Sequence, residues 1–165
     1  MATVHLICGL PCAGKSTYSK TLKTVTDGVH FVLDYWLITA FGPYDIEEVG
    51  YDEHVRRVVA GRNLIWDVAT EFLVRDIDVI LDDGFFFSEH RIQYSKMAKE
   101  FKAATKVHYI DTPTDIIRSR LEQRNSTLPD YNFRINPDRI EDFSRTFDVP
   151  TPDEGMEIVV VNYET

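Results

Sequence analysis

The chain has 165 residues and a formal net charge of −9, from 18 Lys+Arg against 27 Asp+Glu. That length suits one domain with a real core, and 44% hydrophobic with 27% charged residues excludes disorder and low-complexity repeats. The acidity argues against coating duplex DNA, where nonspecific affinity comes from neutralising phosphates, although net charge does not govern a local basic pocket.

Thr3 to Cys8 is apolar and β-rich and is stopped by Gly9, so it reads as a first strand. A helix is expected from about Lys15 to Lys23. Val29 to Leu33 is a second apolar run, ending at Asp34. From about Asp45 to Arg75 the residues Val55, Val58, Val59, Leu64, Ile65, Val68 and Phe72 recur with helical spacing. Gly61 inside that stretch predicts a kink or break. Val79 to Leu81 is a third strand ending at Asp82, and Ser88 is placed to cap a helix running to about Phe101. Lys106 to Ile110 is a fourth strand ending at Asp111. Thr112 and Pro113 then suit the cap and first turn of a helix carrying Ile116, Ile117 and Leu121. Asn125 to Pro137 reads as a loop, Pro137 opens a short helix to about Phe147, and Ile158 to Val161 is the last strand.

Near-continuous apolar strands joined by helices indicate a parallel sheet covered on both faces. The expected fold class is α/β, a doubly wound, mainly parallel five-stranded sheet in one domain over residues 1–165. Ligands of such sheets bind at the carboxyl ends of the strands. Those ends are Cys8-Gly9, Asp34, Asp82-Asp83 and Asp111, and three of the four are acidic.

The first strand-to-helix turn carries the strongest signal. Gly9-Leu10-Pro11-Cys12-Ala13-Gly14-Lys15-Ser16 fits the G-x-x-x-x-G-K-[ST] phosphate loop at every fixed position. Glycines let the backbone curl so that successive N–H groups face phosphate oxygens, and the following helix adds its positive end. Lys15 supplies a charge for the β and γ phosphates, and Ser16 a hydroxyl for Mg²⁺. ATP and Mg²⁺ are therefore the expected ligands, with Pro11 to Thr17 around the phosphates. Cys12 inside the loop reads as a small space-filling residue. Guanine recognition is disfavoured, because the late strands carry no Asn-Lys-x-Asp motif.

Asp82, at the end of an apolar strand, is the expected Mg²⁺ carboxylate, with Asp83 the alternative because neighbours on a strand face opposite ways. Asp34 is placed across the phosphate site, where it can accept the proton of an attacking hydroxyl; a turn or cap role is the alternative. Arg120 and Arg124 are i, i+4 neighbours on one helix, suited to balancing charge on a transferring phosphoryl group. Arg118 reads as a solvated residue paired with Asp115 and Glu122. Tyr35, Trp36, Phe41 and Tyr44 read mostly as packing. None of the five histidines makes an i, i+4 pair with another, so a zinc site is not expected.

Taken together, the chain resembles small P-loop kinases of the polynucleotide-kinase-like group, which includes zeta-toxin-like and chloramphenicol-phosphotransferase-like enzymes. The resemblance runs through Gly9 to Thr17, Leu33 to Leu37, Leu81 to Phe86 with Arg91, Arg120 to Asn125, Phe133 to Ile135 and Phe147 to Glu154. It implies a general base at Asp34, a metal carboxylate at Asp82, lid arginines at Arg120 and Arg124 in a lid around residues 113–147, and a nucleotide-base site near Pro150 to Glu154. Cys12 in place of a smaller residue and Phe87 after Phe85-Phe86 depart from the group's pattern.

The expected function is transfer of the γ-phosphoryl group of ATP to a hydroxyl acceptor, a small molecule, in a cleft lined by Asp34, Trp36 and Phe85. A 5′-hydroxyl polynucleotide is the alternative acceptor, disfavoured by the acidity and by the lack of a basic stripe with interleaved aromatics. A regulatory module that binds ATP without transferring it is the alternative outside the enzymes. No apolar run approaches the ~18 residues of a membrane span. The N-terminus lacks the basic start of a signal peptide, and Cys8 and Cys12 make no disulfide framework, so a cytoplasmic setting is expected.

Overall fold

Among the described residues five strands, β1 (Thr3–Cys8), β2 (Val29–Val32), β3 (Val79–Gly84), β4 (Ala104–Asp111) and β5 (Glu157–Asn162), are joined by seven α-helices, with one to three of them between successive strands. The computed structural model describes residues 1–162, so residues 163–165 of the expected domain lie outside the described ones. The strands form one sheet in the order β2-β3-β1-β4-β5, and every neighbouring pair is parallel. Parallel strands need crossover helices, which cover both faces. That is why Val4, Leu6, Ile7, Val79, Ile80 and Val107 are all buried, with no alternation of apolar and polar positions. The expected fold class is the one observed.

The helices are α1 (Lys15–Thr26), α2 (Leu33–Phe41), α3 (Ile46–Val49), α4 (Tyr51–Leu73), α5 (Ser88–Glu100), α6 (Thr114–Thr127) and α7 (Ile140–Thr146). Several local expectations are corrected. α2 begins at Leu33, directly after β2, so Asp34 sits in the first turn of a helix rather than at a strand end. α4 runs unbroken through Gly61, whose place is explained by packing. A Cβ there would stand 2.8 Å from Leu37 Cδ2 and 3.2 Å from Leu33 Cδ1, so the missing side chain is what lets α2 lie against α4. Val55, Val59 and Leu64 point away from the core that Ile65, Trp66, Ala69 and Leu73 enter.

Two caps also differ. Ser88 is the first residue of α5, and its backbone N–H and hydroxyl both donate to Asp148 Oδ2, at 3.1 and 3.3 Å. A carboxylate 60 residues away thus caps the helix, and Asp148 N–H donates back to Phe86 O at 2.9 Å. Thr112 caps nothing; its hydroxyl donates to Ala13 O at 2.8 Å. The helix of Asn125 extends to Thr127 before the loop begins, and Pro137 opens a 3-10 turn that feeds α7, capped by the side chain of Asn136.

Two buried polar assemblies tie the layers together. Arg91 is fully buried and donates to Glu154 Oε2 at 2.7 Å and to Phe85 O at 2.8 Å, fastening the segment before β5 under α5. Beneath α1, Tyr18, His108, His5 and Asp78 form a hydrogen-bonded row with spacings of 2.8, 2.9 and 3.2 Å. Among the described residues no helix is long and apolar enough to cross a membrane.

Candidate functional site

β1 lies between β3 and β4, so the turn after it opens at the middle of the carboxyl edge of the sheet. Gly9 begins this turn at φ +154°, and a Cβ there would come within 2.9 Å of Ile110 O. Only glycine fits this approach. Cys12 follows in the left-handed region at φ 58° and, without being glycine, stores strain in the loop. Ala13 O accepts hydrogen bonds from Thr112 of the β4 end and from Arg120 of α6, which hold the loop from behind. Gly14 leads into α1 with no side chain capping the helix. The first N–H groups of α1 therefore have no intrahelical partner and face the cleft together with the positive end of the helix. This is the geometry of an anion site.

A cleft of about 1530 Å³ spreads from this loop across the carboxyl ends of the strands. Pro11, Cys12, Ala13, Gly14, Lys15, Ser16 and Thr17 line it, and so do Asp34, Asp82, Arg120 and Arg124. Gly9 stands behind the loop rather than in the lining.

Lys15 donates its ammonium to Leu10 O at 2.7 Å. Burial lowers its pKa, while the carboxylates of Asp82 and Asp34 push it back up. Ser16 donates to Asp82 Oδ2 at 3.0 Å, so these two oxygens already meet. Asp82 is buried, and His30 Nε2 approaches the same Oδ2 at 3.4 Å from β2. Asp83 is otherwise engaged. Arg62 of α4 donates to both of its carboxylate oxygens, at 2.6 and 2.8 Å. The sequence left Asp82 and Asp83 open as alternatives; the geometry gives Asp82 to Ser16 and Asp83 to Arg62.

Asp34 is exposed to the cleft but surrounded by its walls. The lost hydration pushes its carboxyl up to about 6, with Lys15 opposing and Asp82 and Asp83 reinforcing the shift. A carboxyl in that range is ready to take a proton near neutral pH. Arg124 donates to Phe133 O at 3.0 Å, and Arg120 to Cys12 O and Ala13 O, both at 3.3 Å. The two arginines thus share the cleft, one against the phosphate loop and one against the loop after α6. Arg118 is a surface residue as expected, but its partners are Asp138 and Glu141, not Asp115 and Glu122.

Two expected cleft residues are elsewhere. Trp36 packs its ring against Phe31, 6.0 Å between centroids, and Phe85 is buried edge-on against Tyr94 at 5.2 Å. Phe86 and Phe87 line the cleft instead. Phe85 has φ 44°, a left-handed step that turns its own ring into the core and leaves the next two at the rim. Asp111 is also outside the lining and accepts from Tyr109 at 3.2 Å. Arg62 and His54 line the cleft and had no site role in the sequence; Phe133, which belongs to a stretch that carries the resemblance, lines it too. Phe133 is buried between Tyr44 and His54, at 4.9 and 5.5 Å between centroids. For Arg62 a signal existed: Tyr51, Val55, Val58 and Arg62 fall on one helical face.

A phosphate loop after a central parallel strand, beside a strand-end carboxylate that accepts from its serine, is the P-loop arrangement, and the fold is one that kinase structures share. The chain belongs to the AAA domain family, whose pattern matches residues 4–150. No curated protein matches the sequence. The fold is similar to that of a candidate kinase from Chloroflexus aurantiacus J-10-fl, with a TM-score of 0.77 at 17% identity over 98% of this chain and 88% of that one. It is similar to Kti12 of Chaetomium thermophilum, solved with ADP-AlF3, at TM-score 0.72 and 15% identity over 98% and 89%. A gluconokinase from Sinorhizobium meliloti 1021 gives 0.60 and 14% over 98% and 82%.

Proposed function

We propose that the protein transfers the γ-phosphoryl group of ATP to the hydroxyl of a small molecule. The observation that carries this reading is the placement of Asp34 in one cleft with Lys15, the Ser16–Asp82 pair and the uncapped start of α1. A module that only binds nucleotide has no need of a base there. Kti12, whose fold is similar, was solved with ADP-AlF3, which supports a nucleotide at the phosphate loop.

Ser16 and Asp82 supply a hydroxyl and a carboxylate side by side, hard oxygen donors that suit Mg²⁺ with phosphate and water completing its shell. Bound there, the ion would neutralise charge on the β and γ phosphates. Lys15 and the N–H groups of α1 hold the phosphate oxygens. Asp34 orients the acceptor hydroxyl and takes its proton as the oxygen forms its bond to the γ-phosphorus. The bridging P–O bond to the β phosphate breaks, and ADP leaves. Arg120 and Arg124 balance the charge that develops, and the segment 113–147 acts as the lid carrying them.

The test has two arms. Calorimetric titration of Lys15→Ala should show Mg·ATP binding greatly weakened in a folded protein. Wild type with γ-labelled ATP and a panel of small alcohols, nucleosides, antibiotics and 5′-hydroxyl oligonucleotides should yield a labelled small-molecule product. Equal ATP affinity in the two proteins, or label released only to water, would overturn the reading.

A further inference from the structure

The part of the cleft wall that α4 supplies has a chemistry of its own. Tyr51, Val55 and Val59 of α4 are 74%, 38% and 49% exposed, and all three line the cleft. They recur at i, i+4 and i+8, so they form one stripe along the helix. Valine is a poor choice for an exposed helical position, since its branched side chain loses rotamer freedom there. Phe87, 46% exposed, lines the cleft from the start of α5. A contiguous exposed apolar surface of this kind marks a binding site.

The charges on this wall are already spoken for. The cation that α4 contributes to the lining is Arg62, and it is paired through Nε and Nη2 with both carboxylate oxygens of Asp83 at 2.6 and 2.8 Å. His54, also on α4, is hydrogen-bonded through Nδ1 to Tyr44 at 3.0 Å, and burial with Arg57 lowers its pKa, keeping it neutral. The cation of this wall therefore comes with its counter-ion, and the stripe itself carries no charge and a single hydroxyl, that of Tyr51, too few donors for a polyol. A sugar laid on the valines would leave hydroxyls without partners, at about 1–3 kcal/mol for each one buried. The stripe runs on to the end of the cleft that holds Asp82, because Arg62, about one turn beyond Val58 and Val59, is paired with Asp83, the neighbour of Asp82.

We infer that the acceptor is an uncharged alcohol with an aromatic or aliphatic body, seated along Tyr51, Val55 and Val59 with its hydroxyl toward Asp34. This rests on the phosphotransferase reading above and names its substrate class. The step is unchanged: the alcohol oxygen gains the γ-phosphorus, its proton passes to Asp34, and ADP departs.

The probes are benzyl alcohol, 2-phenylethanol, 3-phenylpropanol and 4-phenylbutanol, with binding read by ligand-observed NMR on the full chain. Affinity should rise up to about fourfold with each methylene buried. Val59→Asp should erase that gradient and Val59→Ile should keep it, with circular dichroism checking that α4 is intact in both. A gradient equal in Val59→Asp and wild type, or tighter binding of glycerol, glucose or a 5′-hydroxyl oligonucleotide, would overturn the inference. The two readings fail separately. Labelled phosphate passed to glycerol, glucose or the oligonucleotide leaves the kinase standing and sinks the apolar acceptor. A gradient that Val59→Asp erases, with label released only to water across the whole acceptor panel, keeps the apolar site and sinks the kinase.

Discussion

His108 and His5 share one hydrogen bond, Nε2 to Nδ1 at 2.9 Å, between the neighbouring strands β4 and β1. Their protons follow from the ends of the row. Asp78 can only accept, so His5 Nε2 donates to it, and His5 Nδ1 is left to accept from His108 Nε2. His108 Nδ1 must then accept from the Tyr18 hydroxyl. Both rings are neutral; a proton added at His5 Nδ1 would face the His108 Nε2–H, and one added at His108 Nδ1 would turn the Tyr18 hydroxyl from donor to acceptor.

Acid should therefore loosen the sheet beneath α1. Burial, with help from His5 and Lys106, pushes His108 down to about 4. Between about 4 and the ordinary 6.5 the unfolded chain binds more protons, so stability rises with pH across that window and is lost as pH falls through it. The expected loss from pH 7 to pH 4 is on the order of 2–3 kcal/mol. Urea midpoints of wild type and His108→Gln check this; a slope as steep in the variant would remove His108 as the cause.

Asp34 carries a pH signature in rate. A base must be ionised, so transfer should climb about tenfold per pH unit below about 6 and level off above it. Asp34→Asn should keep ATP affinity and lose about 10²–10⁴-fold in transfer. The sign for stability is opposite: a raised carboxyl favours the folded state when protonated, so its contribution fades as pH rises through about 6. Asn in its place should leave the protein at least as stable at pH 7. A less stable, fully active variant would contradict both expectations.

Arg120 and Arg124 differ in their attachments, and so should their variants. If both act on the transferring group, either substitution to Ala should lower kcat by about 10²-fold, more than it raises KM for ATP. Arg120 also holds Cys12 O and Ala13 O, so its loss should add a KM effect that Arg124→Ala lacks. Initial rates against ATP concentration separate these; unchanged kcat in both would return them to the surface.

Arg91 and Glu154 are both buried side chains, and removing one strands the other. Arg91→Met should cost about 3–5 kcal/mol. The double variant with Glu154→Leu should recover much of it. Denaturation of the three proteins checks this, and simple additivity would mean the pair contributes only packing.

Much of the chemistry was legible in the sequence because it is local. The phosphate loop spans eight consecutive residues, and a strand with a helix on either side needs only the apolar pattern. Partners far along the chain were not legible. Asp82 and Asp83 were equivalent until Arg62, 21 residues earlier, took one of them. Ser88 reads as its own cap, yet a longer-range carboxylate, Asp148, does the work. Gly61 reads as a break because propensity is a single-helix quantity, whereas the pressure at that position comes from Leu37 on another helix. Val55 and Val59 have the period of core residues, and period alone does not say which side of α4 faces a cleft.

The bare flank of α4 at Gly61 also bears on where Asp34 stands relative to the phosphate loop. Leu33 and Leu37 nest where a methyl group would otherwise be, and Asp34 rides one residue from Leu33. A single carbon added at position 61 would press on the ends of the Leu37 and Leu33 side chains of α2, whereas the phosphate loop is fastened apart from them, to the end of β4 and to α6. The phosphate loop and Asp34 are thus mounted on separate supports, so pressure on one need not reach the other.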